Sequence, residues 1–171
     1  MYLDAALLLL RIAIGGVVIP HGLLKLGLVG TGGSLAGVGG WFKSMGLRPG
    51  LFWAYVATLA EAGGGLLTVL GLGGPIGPGA VAADLVVVLI VAHWPQGFWA
   101  GGGKVGWEFP LPLAAGGLAI ALAGSGAWSL DRLLGLAYPD WLLPAWLALM
   151  AIGVLLALGV RSMQTPKAAQ T

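Results

Sequence analysis

The sequence predicts an all-α integral membrane protein of five transmembrane helices with one short helix lying in the membrane interface. Composition and pattern both carry that expectation. Hydrophobic residues make up 58% of the 171 and charged residues only 8%, against roughly 25% charged in ordinary globular domains. Mean hydropathy is +0.97. Apolar stretches of about 20 residues, the length that crosses a bilayer's hydrocarbon core, recur between Gly- and Pro-rich turns. Such a chain has too few charges to solvate a surface and too much apolar area to hide in one small core. Disorder, a soluble cytosolic enzyme and a nucleic-acid-binding domain are therefore excluded. The length is that of one domain, so residues 1–171 are read as a single transmembrane domain. Cys is absent, which leaves no disulfide, thiol redox centre or thiolate metal ligand.

The first span is expected from Ala5 to Leu28 and carries Arg11, His21 and Lys25. It does not read as a cleavable leader, because no basic region precedes it and Arg11 interrupts its apolar run. The second span, Leu51 to Leu70, holds Glu61 near its middle, and the third, Ile76 to His93, holds Asp84. A short fourth span, Phe109 to Ala123, opens on Pro110 and Pro112, which suit a helix start. The fifth, Trp141 to Val160, contains no charge. Between the first two spans, Leu35, Val38, Trp41, Phe42 and Met45 recur at helical spacing with Lys43 and Ser44 off that stripe, the pattern of an interfacial helix. Trp94, Phe98, Trp99 and Trp107 surround a Gly-rich loop and are expected at headgroup depth.

Five spans put the termini on opposite sides. Lys43, Arg48, Lys104, Arg161 and Lys167 collect on one side, with Lys25 at a span's end, and Arg132 stands on the other. The positive-inside rule then places the N-terminus outside and the C-terminus in the cytoplasm.

Ionisable side chains within spans are costly, so they face other helices and mark candidate sites. Counted from the outer end of each span at 1.5 Å per residue, Arg11 lies roughly 9 Å deep, Asp84 roughly 12 Å and Glu61 roughly 13 Å. Equal depth predicts one charge cluster of Arg11, Glu61 and Asp84. Arg11, Gly15, Val18, Gly22 and Lys25 fall on one helical stripe, and Ala54, Thr58, Glu61, Gly65 and Thr68 on another, so two small-residue faces can pack closely. An Arg11–Glu61 pair reads equally well as a structural device that fixes helix register.

A second constellation is expected at the cytoplasmic end. His21 and Lys25, four residues apart, share a face, and Pro20 is expected to kink the helix beside them. His93 closes the third span, and Glu108 precedes the fourth. His21, Lys25, His93 and Glu108 are the candidate catalytic residues, proton-exchanging groups under a lid of Trp94, Phe98, Trp99 and Trp107. That chemistry suits a quinone headgroup. Glu108 reads equally as a helix-start carboxylate and either His as an interfacial polar residue. Two His without a supporting motif make no metal site.

These residues also carry a resemblance. Leu10-Arg11, then Pro20-His21-Gly22-Leu23-Leu24-Lys25, Gly40-Trp41-Phe42, Met45-Gly46-Leu47, Ala60-Glu61 and Gly64-Gly65 occur in order. His93-Trp94-Pro95-Gln96-Gly97-Phe98, Gly106-Trp107-Glu108-Phe109 and Ser129-Leu130-Asp131 continue the series. From about Leu8 to Leu134 the chain resembles the DoxX family. The resemblance implies a prokaryotic plasma-membrane protein with a four-helix transmembrane bundle, here about 5–125, so the span at about 141–160 is additional. It also implies kinship with subunits of thiosulfate:quinone oxidoreductase. Partners of the kind found for relatives would be superoxide dismutase, thiosulfate sulfurtransferase or a second membrane subunit. Asp84 departs from the family pattern.

The function expected is a membrane subunit of a redox system that binds a quinone or a sulfur or oxidative-stress redox partner. No covalently bound cofactor is expected, and electrons come from a partner protein. A scaffold for soluble redox enzymes and a proton-coupled small-solute carrier are the alternatives.

Overall fold

The structure, a computed structural model, describes residues 1–164, so the expectation resting on Lys167 lies outside the described residues. Among those residues the chain is helical, with one isolated β-bridge between Gly101 and Lys104. Helix α1 spans Tyr2–Lys25 and runs through Pro20 without a break. Helix α2 is Leu35–Ser44, started by Ser34, whose hydroxyl accepts from Gly37 N at 3.1 Å. Helix α3, Gly50–Thr58, passes through a π-helical turn, Leu59–Gly64, into α4, Gly65–Leu70. Gly71 ends α4 with φ +62°, a left-handed conformation that glycine adopts without strain. Helix α5, Ile76–Val88, likewise passes into a π-helical turn, Leu89–His93. Helices α6, Pro110–Ala123, α7, Leu130–Leu133, and α8, Leu142–Gln164, complete the described chain.

Four of these stretches are long and apolar enough to cross a membrane: Tyr2–Lys25, Gly50–Leu70, Ile76–Gln96 and Leu142–Met163. Helix α6 is a shorter apolar helix. These stretches make the chain an all-helical, multi-pass membrane protein in contact with lipid. The first span starts and ends earlier than Ala5–Leu28, because residues from Leu26 onward turn away instead of extending the helix.

The helices close a ring in which α1 packs on the π-turn and α4 of the second span, that span packs on α5, α5 on α6, and α6 on α1. Ile14, Val18, Val81, Leu85, Ala114 and Ile120 fill its centre. Helix α8 packs on α5, pinned by the Trp146 indole N–H donating to Ile76 O at 3.1 Å and by Arg161 Nη1 donating to Ile90 O at 3.3 Å. A second core, including Phe42, Ala57, Val91 and Ala157, joins α2, α3, the α5 extension and α8.

Close approach of α1 to the second span sets the register of the ring. The two small-residue stripes do meet there: a Cβ on Gly22 would lie 2.5 Å from Ala62 N, and one on Gly15 would lie 2.8 Å from Gly65 O. Backbone atoms cannot yield, so only glycine allows this spacing. Gly22→Ala is therefore expected to destabilise the protein by about 1–3 kcal/mol. Gly16→Ala, on the exposed side of the same helix with nothing within 4 Å of its Cβ, should be neutral or stabilising. Unfolding of both variants in detergent checks the contrast.

Candidate functional site

The glycine contacts dictate which charges can meet. Helix α1 and the second span run antiparallel with Gly22 beside Ala62 and Gly15 beside Gly65 and Val69. Continuing that register one turn further brings Lys25 to Glu61 and carries Arg11 to Gly71. Lys25 Nζ donates to Glu61 Oε2, forming an ion pair in which Glu61 is only 6% exposed. The expected Arg11–Glu61 pair does not form. Equal depths assumed level outer ends, but Arg11 stands beside Gly71 of the α4–α5 turn, and α1 continues past it to Asp4, whose Oδ1 accepts from Ala127 N, between α6 and α7, at 2.9 Å. Lys25 accordingly belongs to the buried pair with Glu61.

Asp84 stays with Glu61. A Cβ on Gly64 would touch Ala80 and Val81, so one turn onward along each antiparallel helix Glu61 and Asp84 come level. Asp84 lies in the fields of Glu61 and Lys25. It lines a cavity of about 590 Å³ bounded by the second span, α5 and its extension, α2 and α8. Trp41, Met45, Ala60, Val87 and Met150 are representative of walls that are otherwise almost wholly apolar. Two polar atoms there are buried without a hydrogen-bond partner, Asp84 Oδ2 and Trp53 Nε1. Buried polar atoms are nearly always paired, and these two, one acceptor-or-donor and one donor, stand unpaired inside an apolar chamber. Sequence reading found Asp84 but missed Trp53 and the chamber, whose far wall α8 supplies.

The histidine end is arranged differently from the expected lid. Half-buried His93 places Nδ1 3.0 Å from Gly106 O, and Glu108 Oε1 accepts from Ala100 N at 2.8 Å. Both line a separate cavity of about 550 Å³ with Phe109 and Pro112. His21 is exposed, its ring 6.3 Å from that of Phe109, and its field reaches Glu61. Trp94 stacks on Trp107 at 5.2 Å, and Phe98 sets its ring edge-on to Trp99 and Trp107. These rings satisfy one another and do not line the cavity at His93.

At the opposite end Arg11 is 1% exposed, and its Nη2 donates to Trp128 O. Asp131, which sequence reading did not single out as a site residue, clamps this end. Its carboxylate accepts from Gly73 N and Gly74 N at 2.9 Å each and from Tyr138 Oη at 2.7 Å. Burial, and then this hydrogen bond to a carboxylate, push the Tyr138 hydroxyl above its ordinary pKa, so it remains a donor.

A protein-family model described as DoxX matches residues 6–94, just over half of the chain. The match takes in Arg11, His21, Lys25, Glu61, Asp84 and His93, and the Gly106–Phe109 and Ser129–Asp131 segments lie beyond it. None of the curated proteins and none of the solved structures matches the chain.

The exchange of partners is testable by double-mutant cycles. Lys25→Met alone strands Glu61 and is expected to cost about 3–5 kcal/mol, much of it recovered by Glu61→Leu. Coupling between positions 25 and 61 should then reach at least about 3 kcal/mol, while Arg11→Leu and Glu61→Leu add within about 0.5 kcal/mol. Denaturant unfolding in detergent gives all the required values.

Proposed function

The chain belongs to the DoxX family, and on that premise we propose that it is a quinone-binding membrane subunit of a redox system, with the ring seated beside Asp84. The single observation that supports this reading is the pair of orphaned polar atoms, Asp84 Oδ2 and Trp53 Nε1, in a lipid-depth apolar cavity. The residues present fit such a ligand: apolar walls suit a ring and its hydrocarbon tail, and the two polar groups suit its oxygens. A bound quinone would supply the redox chemistry, taking up two electrons and two protons on full reduction, with the electrons delivered by a partner redox protein.

The chain's own part is binding, orientation and proton supply. Asp84 holds a proton or accepts a hydrogen bond at Oδ2. Glu61, level with it and neutralised by Lys25, is the next carboxyl along, and His21, whose field reaches Glu61, stands beside Phe109. Both π-helical turns carry one of these residues, Glu61 in Leu59–Gly64 and His93 in Leu89–His93, and such turns recur at functional sites. His93 and Glu108 form the alternative seat. Each already holds one hydrogen bond, with Gly106 O and Ala100 N, whereas Asp84 Oδ2 holds none, which favours Asp84.

In the membrane we propose five crossings, α6 being the short fourth, in a prokaryotic plasma membrane with the N-terminus and Arg132 outside. Helix α2, with Trp41 exposed and Phe42 buried, lies in the cytoplasmic interface. Reporters fused after Thr171 should then read cytoplasmic, and those inserted at Gly135 external. Superoxide dismutase- or sulfurtransferase-like enzymes, or a second membrane subunit, are the proposed partners.

Binding of a short-chain quinone to the purified protein tests the seat. Asp84→Leu is expected to weaken binding about tenfold or more, the loss of one hydrogen bond to an ionisable group. His93→Gln should leave binding within about twofold. The reverse pattern would seat the ring at His93, and no binding to the wild type would refute the reading.

A further inference from the structure

The end of the ring opposite His93 carries a second recess, of about 580 Å³, between α1, α4 and the segment from Ala127 to Leu133. Arg11 lines it, with its Nη1 packed against Gly71. That side chain is almost completely enclosed, yet Nε and Nη1 have no hydrogen-bond partner, Nη2 alone being taken by Trp128 O. A guanidinium stays charged at every physiological pH, so it cannot relieve its burial by losing a proton. The nearest compensating charge is Asp131, whose field reaches Arg11. Both Asp131 oxygens are already engaged by Gly73 N, Gly74 N and Tyr138 Oη, so the carboxylate is committed to the α4–α5 turn. Arg132, exposed, adds a second cation to the wall. Ser129 Oγ is likewise occupied, donating to Gly126 O at 2.6 Å.

The recess therefore brings together a buried guanidinium with two unpaired nitrogens and an exposed second cation, while Asp131 and Ser129 Oγ are engaged elsewhere. We propose that it is a binding site for a phosphate- or sulfate-type oxyanion, held on Arg11 and Arg132. Guanidinium donors recognise such oxygens by direction as well as charge. Leu8, Val69, Leu70 and Leu133 form the remaining walls, and the recess opens where α1 rises past the α4–α5 turn. The oxyanion can come from solution or from the headgroup of an anionic phospholipid, and one chemistry serves both. Nothing in this inference depends on the quinone reading, since the two cavities share no lining residue.

The test uses the full chain purified in a neutral detergent, titrated calorimetrically with inorganic phosphate, and the same protein analysed for lipids retained from vesicles of equal phosphatidylglycerol and phosphatidylcholine. Binding of phosphate with no preference between the lipids assigns the site to a free anion. Preferential retention of phosphatidylglycerol, displaced by phosphate, assigns it to a headgroup. Either result supports the proposal if Arg132→Gln, a surface change that leaves helix content intact, weakens binding about tenfold, and Arg11→Lys, where it folds, abolishes it. Failure of both probes to bind the wild type, or binding unchanged in Arg132→Gln, overturns it.

Discussion

The ion pair between Lys25 and Glu61 decides how the first two spans sit against each other, and through them where the other charged groups end up. An unpaired carboxylate or ammonium inside the membrane is expensive, and a pair is tolerated only where geometry brings the two within reach. Gly15, Gly22 and Gly65 let the backbones approach, and the pair fixes one longitudinal register out of those the small-residue stripes would allow. In that register Glu61 is neutralised, Arg11 is carried to the α4–α5 turn, and Asp84 is left beside Glu61 without a cation of its own.

Much of this was legible in the sequence and some was not, for a definite reason. Helix existence, the position of the long spans and the identity of the two packing stripes rest on apolar length and helical spacing, which are local properties. The choice between Arg11 and Lys25 as partner of Glu61 is not local. Both cations lie on the same stripe, and only the relative height of two helices selects one. Depth counted along single spans gave the wrong height because α1 protrudes, held by Asp4 and Ala127. The same limit explains why Trp53 and Asp131 were missed as site residues. Trp53 is an ordinary aromatic until α8 encloses the chamber beside it, and Asp131 acts through the Gly73 and Gly74 amides, 58 and 57 residues earlier in the chain.

The irregular turns have a structural consequence. Each π-helical turn widens its helix by an extra residue per hydrogen-bonded ring and rotates the residues C-terminal to it. At Leu59–Gly64 that rotation accompanies the burial of Glu61 and Gly64, and at Leu89–His93 it precedes the departure of the chain into the aromatic loop. Helix α8 then adds a wall to the chamber on the α5 side. The chamber between the second span, α5, α2 and α8 is thus apolar and open on one side, with Asp84 the carboxyl in its lining.

That carboxyl is the most direct point of attack. An apolar carbodiimide reaches carboxyl groups from the lipid phase, and modified peptides identify which residue reacted. Labelling of the protein in membranes is expected at Asp84 in preference to Glu61, whose oxygen is held by Lys25, and a short-chain quinone should suppress it in a concentration-dependent way. Labelling at Asp84 that is indifferent to quinone, or a protein that labels at Glu61 while Asp84 stays untouched, would contradict the chamber as the ligand's seat.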